Sequence, residues 1–369
     1  MRLVMCNWTS RRAGGVESYL ARVIGALRDA GHEVALAAEE RDGERPPIDE
    51  TSLPALPGAI RAWRPDLIIN HGLRDAALEA QILAIAPAML FAHSYYGTCI
   101  GGHKAYTFPR VAPCDRTLGW GCLLRYYPGR TGGLSPVTLA RLWRLQRARQ
   151  AMLGRYRSIL VFSDHMRDEY QRHGCGTVRV LPFPMEAAAV AEPRHGGGTR
   201  LLFVGRCDPL KGGAHLIHAV RQLDDAVTLT IVGDGPARPA WEQAAASLGL
   251  RVQFTGWADD VTAAYQAADL LVVPSLWPEP FGQVGLEAAR FGVPSVAFPT
   301  GGIPQWLREG VNGLLAPAPA DATALAETIH AALAPTTYRA LSAGALSAVD
   351  DHPIERHIAA LVDHLAEAA

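Results

Sequence analysis

The chain has 369 residues, 49% of them hydrophobic and 19% charged, with a formal net charge of −1. That is too long for one ordinary core, comfortable for two α/β domains, and too apolar for a disordered chain. Six cysteines do not make a disulfide scaffold, and no apolar run approaches the ~20 residues needed to span a bilayer. The opening Met1-Arg2-Leu3-Val4-Met5-Cys6 reads as a strand rather than a signal peptide. A cytoplasmic protein is expected, with peripheral contact at the inner face of a membrane left open and no nucleic-acid partner. Residues 1–185 carry 24 Lys+Arg against 16 Asp+Glu, and residues 186–369 carry 11 against 20. The first half is therefore suited to meet something anionic.

In chain order, aliphatic runs at 3–6, 33–37, 66–70, 88–93, 158–162 and 178–181 predict strands. Tyr19, Leu20, Val23, Ile24 and Leu27 recur at helical spacing and predict a helix over 16–30, closed by Gly31. Residues 95–136 are glycine-rich and structureless by pattern. Residues 138–157 read as a basic helix, either a solvated outer helix or one that lies on a membrane surface. Three prolines and Gly196-Gly197-Gly198 mark a linker at 182–198. A second series follows, with strands at 201–204, 227–232, 252–254, 270–274 and 295–298 and helices at 214–223, 240–248 and 284–291. Residues 352–369 form a last helix with Ile354, Ile358, Leu361, Val362 and Leu365 on one stripe.

Four features carry chemistry. Gly14-Gly15, between the first strand and its helix, lets backbone approach a ligand at a helix N-terminus, although a tight turn explains it as well. Gly205-Arg206 and Lys211-Gly212 place two cations in one strand-to-helix turn, where arginine forks onto phosphate and lysine adds a compact charge. Glu279-Pro280-Phe281-Gly282-Gln283 and Glu287 put two carboxylates beside a strand's carboxyl end, suited to vicinal hydroxyls. Gly301-Gly302 ends another strand. No Gly-x-Gly-x-x-Gly follows any strand, which disfavours a dinucleotide oxidoreductase.

These motifs, with Val232-Gly233-Asp234-Gly235-Pro236, Phe254-Thr255-Gly256 and Gly310-x-x-Gly313, resemble the family 4 retaining glycosyltransferases. The resemblance is close over the last 170 residues or so and looser before them, where Gly31-His32-Glu33-Val34 and Pro65-Asp66 carry it. It implies an α/β GT-B fold: two Rossmann-like parallel-sheet domains facing across a cleft, over 1–185 and 186–350, with helix 351–369 packing on the first. It implies a nucleotide-diphosphate-sugar donor, UDP- or GDP-linked, with no other cofactor. Arg206 and Lys211 would hold the diphosphate and Glu287 the ribose. Glu279 and the backbone of Phe281 and Gly282 would hold the sugar, and Gly256 and Trp257 would lie by the base. His93 matches the family's strand-end histidine, and Gly14 and Gly15 would lie near phosphate and acceptor. Catalysis would retain anomeric configuration without a metal. A nucleotide-sugar 2-epimerase on the same fold and a non-catalytic nucleotide-binding subunit are the alternatives.

The chain departs from that pattern at 95–136. Following on His93, this segment is expected to form part of the acceptor site, with Gly15, Tyr95, Tyr96, His103 and Lys104. Cys99, Cys114 and Cys122 within it offer thiolates for zinc, although their spacing fits no standard zinc pattern.

Overall fold

The computed structural model describes every residue except Ala13, Asp42, Glu44, Glu50, Ala191, 195–197 and Ala369. The chain divides into two compact units. Unit 1 comprises Met1–Phe108, Cys114–Pro184 and Ile354–Ala369, and unit 2 comprises Pro109–Pro113 and Met185–Pro353.

The chain opens with β1 (Arg2–Thr9), α1 (Gly15–Asp29), β2 (Glu33–Glu40), β3 (Ser52–Pro54), α2 (Pro57–Trp63), β4 (Leu67–Gly72), α3 (Ala76–Ile82) and β5 (Ala88–Phe91). Two-residue strands β6 (Ala105–Tyr106) and β7 (Ala112–Pro113) come next, then α4 (Trp120–Tyr126), α5 (Pro136–Met152), β8 (Ile159–Val161), α6 (Asp164–Arg172) and β9 (Val178–Val180). The large sheet of unit 1 runs β3-β2-β1-β4-β5-β8-β9 with parallel pairing throughout. Leu3, Val4, Met5 and Cys6 are all fully buried. Burial of consecutive residues means that both faces of the sheet are covered, hence the unbroken aliphatic run in place of alternation.

Unit 2 repeats the scheme with β10 (Arg200–Val204), α7 (Gly213–Val220), β11 (Thr228–Val232), α8 (Arg238–Ser247), β12 (Val252–Gly256), α9 (Thr262–Ala267), β13 (Leu270–Val273), α10 (Val284–Ala289), β14 (Ser295–Ala297), α11 (Ile303–Trp306), β15 (Gly313–Leu315), α12 (Ala322–Leu333) and α13 (Pro335–Asp350). Its parallel sheet is ordered β12-β11-β10-β13-β14-β15. Leu201, Phe203, Leu229, Ile231 and Val272 pack with Leu216, Ile217 and Trp241 of the helices in one core. The last helix, α14 (Ile354–Ala368), belongs to unit 1. There Tyr19 Oη of α1 lies 3.0 Å from His357 Nε2, and His357 Nδ1 lies 2.6 Å from the Pro182 carbonyl. Because a carbonyl only accepts, Nδ1 carries the proton and Nε2 accepts from the tyrosine.

Two expectations need correction. The 95–136 segment is not structureless: it contains α4, which the pattern hid because Trp120 and Leu124 of this helix are exposed. The basic helix ends at Met152, five residues early, and a 3-10 turn over Leu153–Arg155 follows.

Candidate active site

Chain order in the second sheet reverses between β10 and β13. In open α/β sheets ligands bind outside the carboxyl ends of the strands at such a reversal. The loop after β10 carries Gly205, Arg206 and Lys211, and the loop after β13 carries Ser275, Trp277 and Glu279. Lys211 Nζ donates to Glu279 Oε1 at 2.6 Å and lies 5.3 Å from the centre of the Trp277 ring. Ser275 Oγ donates to the same carboxylate oxygen. Glu279 is 5% exposed, so the lysine and the serine are what make its burial tolerable.

The three loops at this rim interlock through glycine. Gly212 is left-handed at φ 70°, and a Cβ on it would lie 1.8 Å from the Pro274 carbonyl oxygen. Gly301, at φ 60°, would bring a Cβ within 2.3 Å of the Glu279 carbonyl oxygen, and Gly302 N donates to that oxygen at 2.6 Å. Neither position has room for a side chain, so lysine and glutamate are held by backbone that cannot separate freely.

Glu287 lies in the first turn of α10, half-buried, and accepts from Tyr265 Oη at 2.8 Å. Burial, reinforced by that carboxylate, pushes the Tyr265 phenol well up, so it stays a donor. Gln283 is the N-cap residue of α10, with Gly282 before it at φ 87°. The buried Phe281 keeps its carbonyl on Trp306 Nε1 at 2.8 Å, which fixes the turn through Pro280. Arg206 is exposed, and its guanidinium makes no hydrogen bond or ion pair among the described residues. Gly256 ends β12 and accepts from Gly233 N at 2.8 Å, and Trp257 beside it is 49% exposed. The structure thus joins Lys211 directly to Glu279, sets Glu287 on the adjoining helix and leaves Arg206 open to solvent.

In unit 1 the reversal falls between β1 and β4. Gly14, in extended backbone, caps α1, and Gly15 is its first residue. The buried Glu17 of that first turn accepts from Asn7 Nδ2 at 3.2 Å. His71 is the next-to-last residue of β4, and its Nδ1 lies 2.9 Å from Nε2 of His93, two residues past β5. Both imidazoles stack on Phe91, with Tyr19 against all three rings. Burial, then the neighbouring His357, holds His93 down to about 3. Burial, then His93, holds His71 well below the usual imidazole range. Both are neutral at pH 7, so this rim offers a hydrogen-bonding imidazole rather than a cation. Nothing in the spacing of Tyr19, His71 and His357 announced this cluster; the one local signal was His71-Gly72 closing a strand-like run.

The remaining acceptor candidates lie inward. Tyr95 Oη is 2.7 Å from His165 Nε2, and Tyr96 Oη donates to Glu79. Lys104 is buried and pairs with the buried Glu169 at 2.7 Å. His103 Nε2 donates to the Thr131 carbonyl at 3.1 Å. The first three of these contacts tie the 95–136 segment to α3 and α6, and the last lies within it. Cys99, Cys114 and Cys122 line one small cavity with Lys104, Arg116 and Arg125. No group of three or more His, Cys, Asp or Glu side chains suited to a metal ion occurs among the described residues.

Comparison with known families matches residues 198–334 to the glycosyl transferases group 1 and residues 13–185 to glycosyltransferase family 4. The 2-deoxystreptamine glucosyltransferase of Streptomyces kanamyceticus is 38% identical over 144 residues, 37% of this chain and 37% of that protein. Glycogen synthase of Mycobacterium tuberculosis (strain CDC 1551 / Oshkosh) is 27% identical over 90% of this chain and 86% of its own length. Among solved structures, Anabaena HepE in complex with UDP and glucose superposes with a TM-score of 0.70 at 20% identity, covering 99% of each chain. Alignment with the glucosyltransferase thus spans about a third of that protein, whereas those with glycogen synthase and HepE run nearly end to end. With both halves matched and the two-sheet GT-B architecture in place, the chain belongs to the family 4, group 1 glycosyltransferases.

Proposed function

We infer that the chain transfers a hexose-type sugar from a UDP- or GDP-linked donor to an acceptor hydroxyl, with retention of anomeric configuration and without a metal. The observation that carries this reading is the 2.6 Å pair of Lys211 and Glu279 at the chain reversal of the second sheet. An ammonium has three N–H groups, so Lys211 can keep Glu279 and still reach a diphosphate. Arg206, exposed on the same loop, supplies a second, forked cation. Both charges would act where the bond to the nucleotide breaks and negative charge collects on the departing phosphate. Glu279 and the turn at Phe281 and Gly282 hold the sugar hydroxyls, Glu287 takes the ribose diol, and the base lies by Gly256 and Trp257. A phosphate oxygen of the departing nucleotide then takes the acceptor's proton on the face the nucleotide leaves. In unit 1, His93 is neutral and suits orienting a hydroxyl by a hydrogen bond, and the backbone at Gly14 and Gly15 suits a close approach of phosphate or acceptor.

HepE, solved with UDP and glucose, supports trying a uridine donor first. The test is a thermal-shift and turnover screen of UDP-, GDP-, ADP- and TDP-sugars, with the anomer of the product read by NMR. Stabilisation by one nucleotide sugar and a product of unchanged anomeric configuration are expected, also in the presence of a chelator. No stabilisation by any of them, or an inverted product, overturns the reading.

A further inference from the structure

The sequence left open whether helix 138–157 touches a membrane, but the structure moves the question to its neighbour. In α4, Trp120 and Leu124 stand one turn apart, with Tyr127 at its C-cap continuing the same face, and all three point outward: Trp120 is 77% and Leu124 80% exposed. Leu134, just before α5, and Val137, in its first turn, are 71% and 77% exposed. The opposite face of α4 is spoken for: Tyr126 is buried with Ile100 and Leu118, against Cys122, Leu123, Leu139, Leu142 and Trp143. The Trp120 ring lies 5.5 Å from that of Trp143, so α4 and α5 form one surface. Large apolar side chains gathered outward on a short helix have no role in a core.

The stretch of chain that builds this surface carries one sign of charge. From Asp115 to Asp164 there is no acidic residue, and nine arginines lie between them. Arg116, Arg125, Arg130, Arg141, Arg144 and Arg147 are exposed, and none makes an ion pair among the described residues.

From this juxtaposition we propose that the α4–α5 surface of unit 1 docks on a bilayer bearing anionic phospholipid headgroups, with Trp120, Leu124 and Tyr127 entering the interface and the arginines meeting phosphate. Aromatic and leucine side chains that lie shallowly among cations suit a headgroup layer. Unopposed arginines supply the attraction to anionic lipid. No helix among the described residues is long and apolar enough to cross a membrane, so the contact is one of lying on the surface. This inference does not depend on the identity of the donor or acceptor.

The full chain is floated with vesicles of phosphatidylcholine alone and of phosphatidylcholine mixed with phosphatidylglycerol, at low and high salt. Flotation with the mixed vesicles only, weakening with salt, is expected. The double variant Trp120→Ser/Leu124→Ser should lose about tenfold or more of that binding, with its melting temperature unchanged; should it melt lower, Leu124→Gln alone takes its place. Absence of wild-type flotation with anionic vesicles overturns the proposal. So does undiminished flotation of a stably folded variant, because the arginines alone would then explain the binding. Binding to heparin without binding to vesicles assigns the surface to an acidic macromolecule instead, and also overturns it.

Discussion

The two sheets share a topology, and in each the chain order reverses after the third strand, but the two reversals are furnished in opposite ways. At β10/β13 a lysine and a nearly buried glutamate form a charged pair 2.6 Å apart, clamped by glycines that admit no Cβ. At β1/β4 two neutral histidines are packed among Tyr19 and Phe91. Topology sets where a ligand can bind, and the side chains at the rim decide what is done there. The charged rim suits an anionic leaving group, and the neutral one suits orientation of hydroxyls.

Removing the cation from the charged rim should have the largest effect. Lys211→Ala is expected to lower kcat by about 10²–10³, and it leaves the buried Glu279 without its counter-charge. If steady-state kinetics with the donor found by screening show kcat within a few-fold of wild type, the charged rim is not the leaving-group site. Gly212→Ala should approach that loss without touching a charge, because its Cβ would collide with the Pro274 carbonyl and shift Lys211. A crystal structure of this variant with an unmoved Lys211 and full activity would break the argument that backbone positions the pair.

The neutral rim gives smaller effects. Tyr19→Phe removes the proton that His357 Nε2 accepts, which should cost about 1–3 kcal/mol for an unsatisfied buried group. A chemical denaturation curve reads this directly. Acid sharpens the contrast further. His93 at about 3 and His357 at about 4 both titrate below an unfolded imidazole near 6.5. With folded values depressed, their neutral forms favour the fold fully above pH ~6.5, and that stability is lost as pH falls from there toward 4. Circular dichroism should show the melting temperature falling over this window, and less steeply in His357→Gln. A flat profile between pH 6.5 and 4.5 would mean that these imidazoles are not buried in solution.

The charged rim was legible in the sequence because each of its loops is short and carries its own signal. Lys211 is one of only two lysines, and Glu279 sits in a Pro-rich run just past an aliphatic strand. Their 68-residue separation is closed by parallel pairing of β10 and β13, which βαβ alternation makes predictable. The neutral rim was not legible. Tyr19, His71 and His357 are ordinary core residues taken singly, and 338 positions part the hydrogen-bonded Tyr19 and His357. Three-residue strands such as β3 are too short to display a period, and α12 and α13, rich in alanine, show little contrast between their faces.

The return of α14 to unit 1 bears on how the protein is made. All of unit 2 is synthesised before the helix that supplies His357, so Tyr19 and the Pro182 carbonyl wait for that partner until α14 has been made. Unit 2 is therefore complete in the chain before unit 1, whose last helix follows it. A fragment cut at Pro184 would carry its sheet but lack the last wall of its histidine cluster.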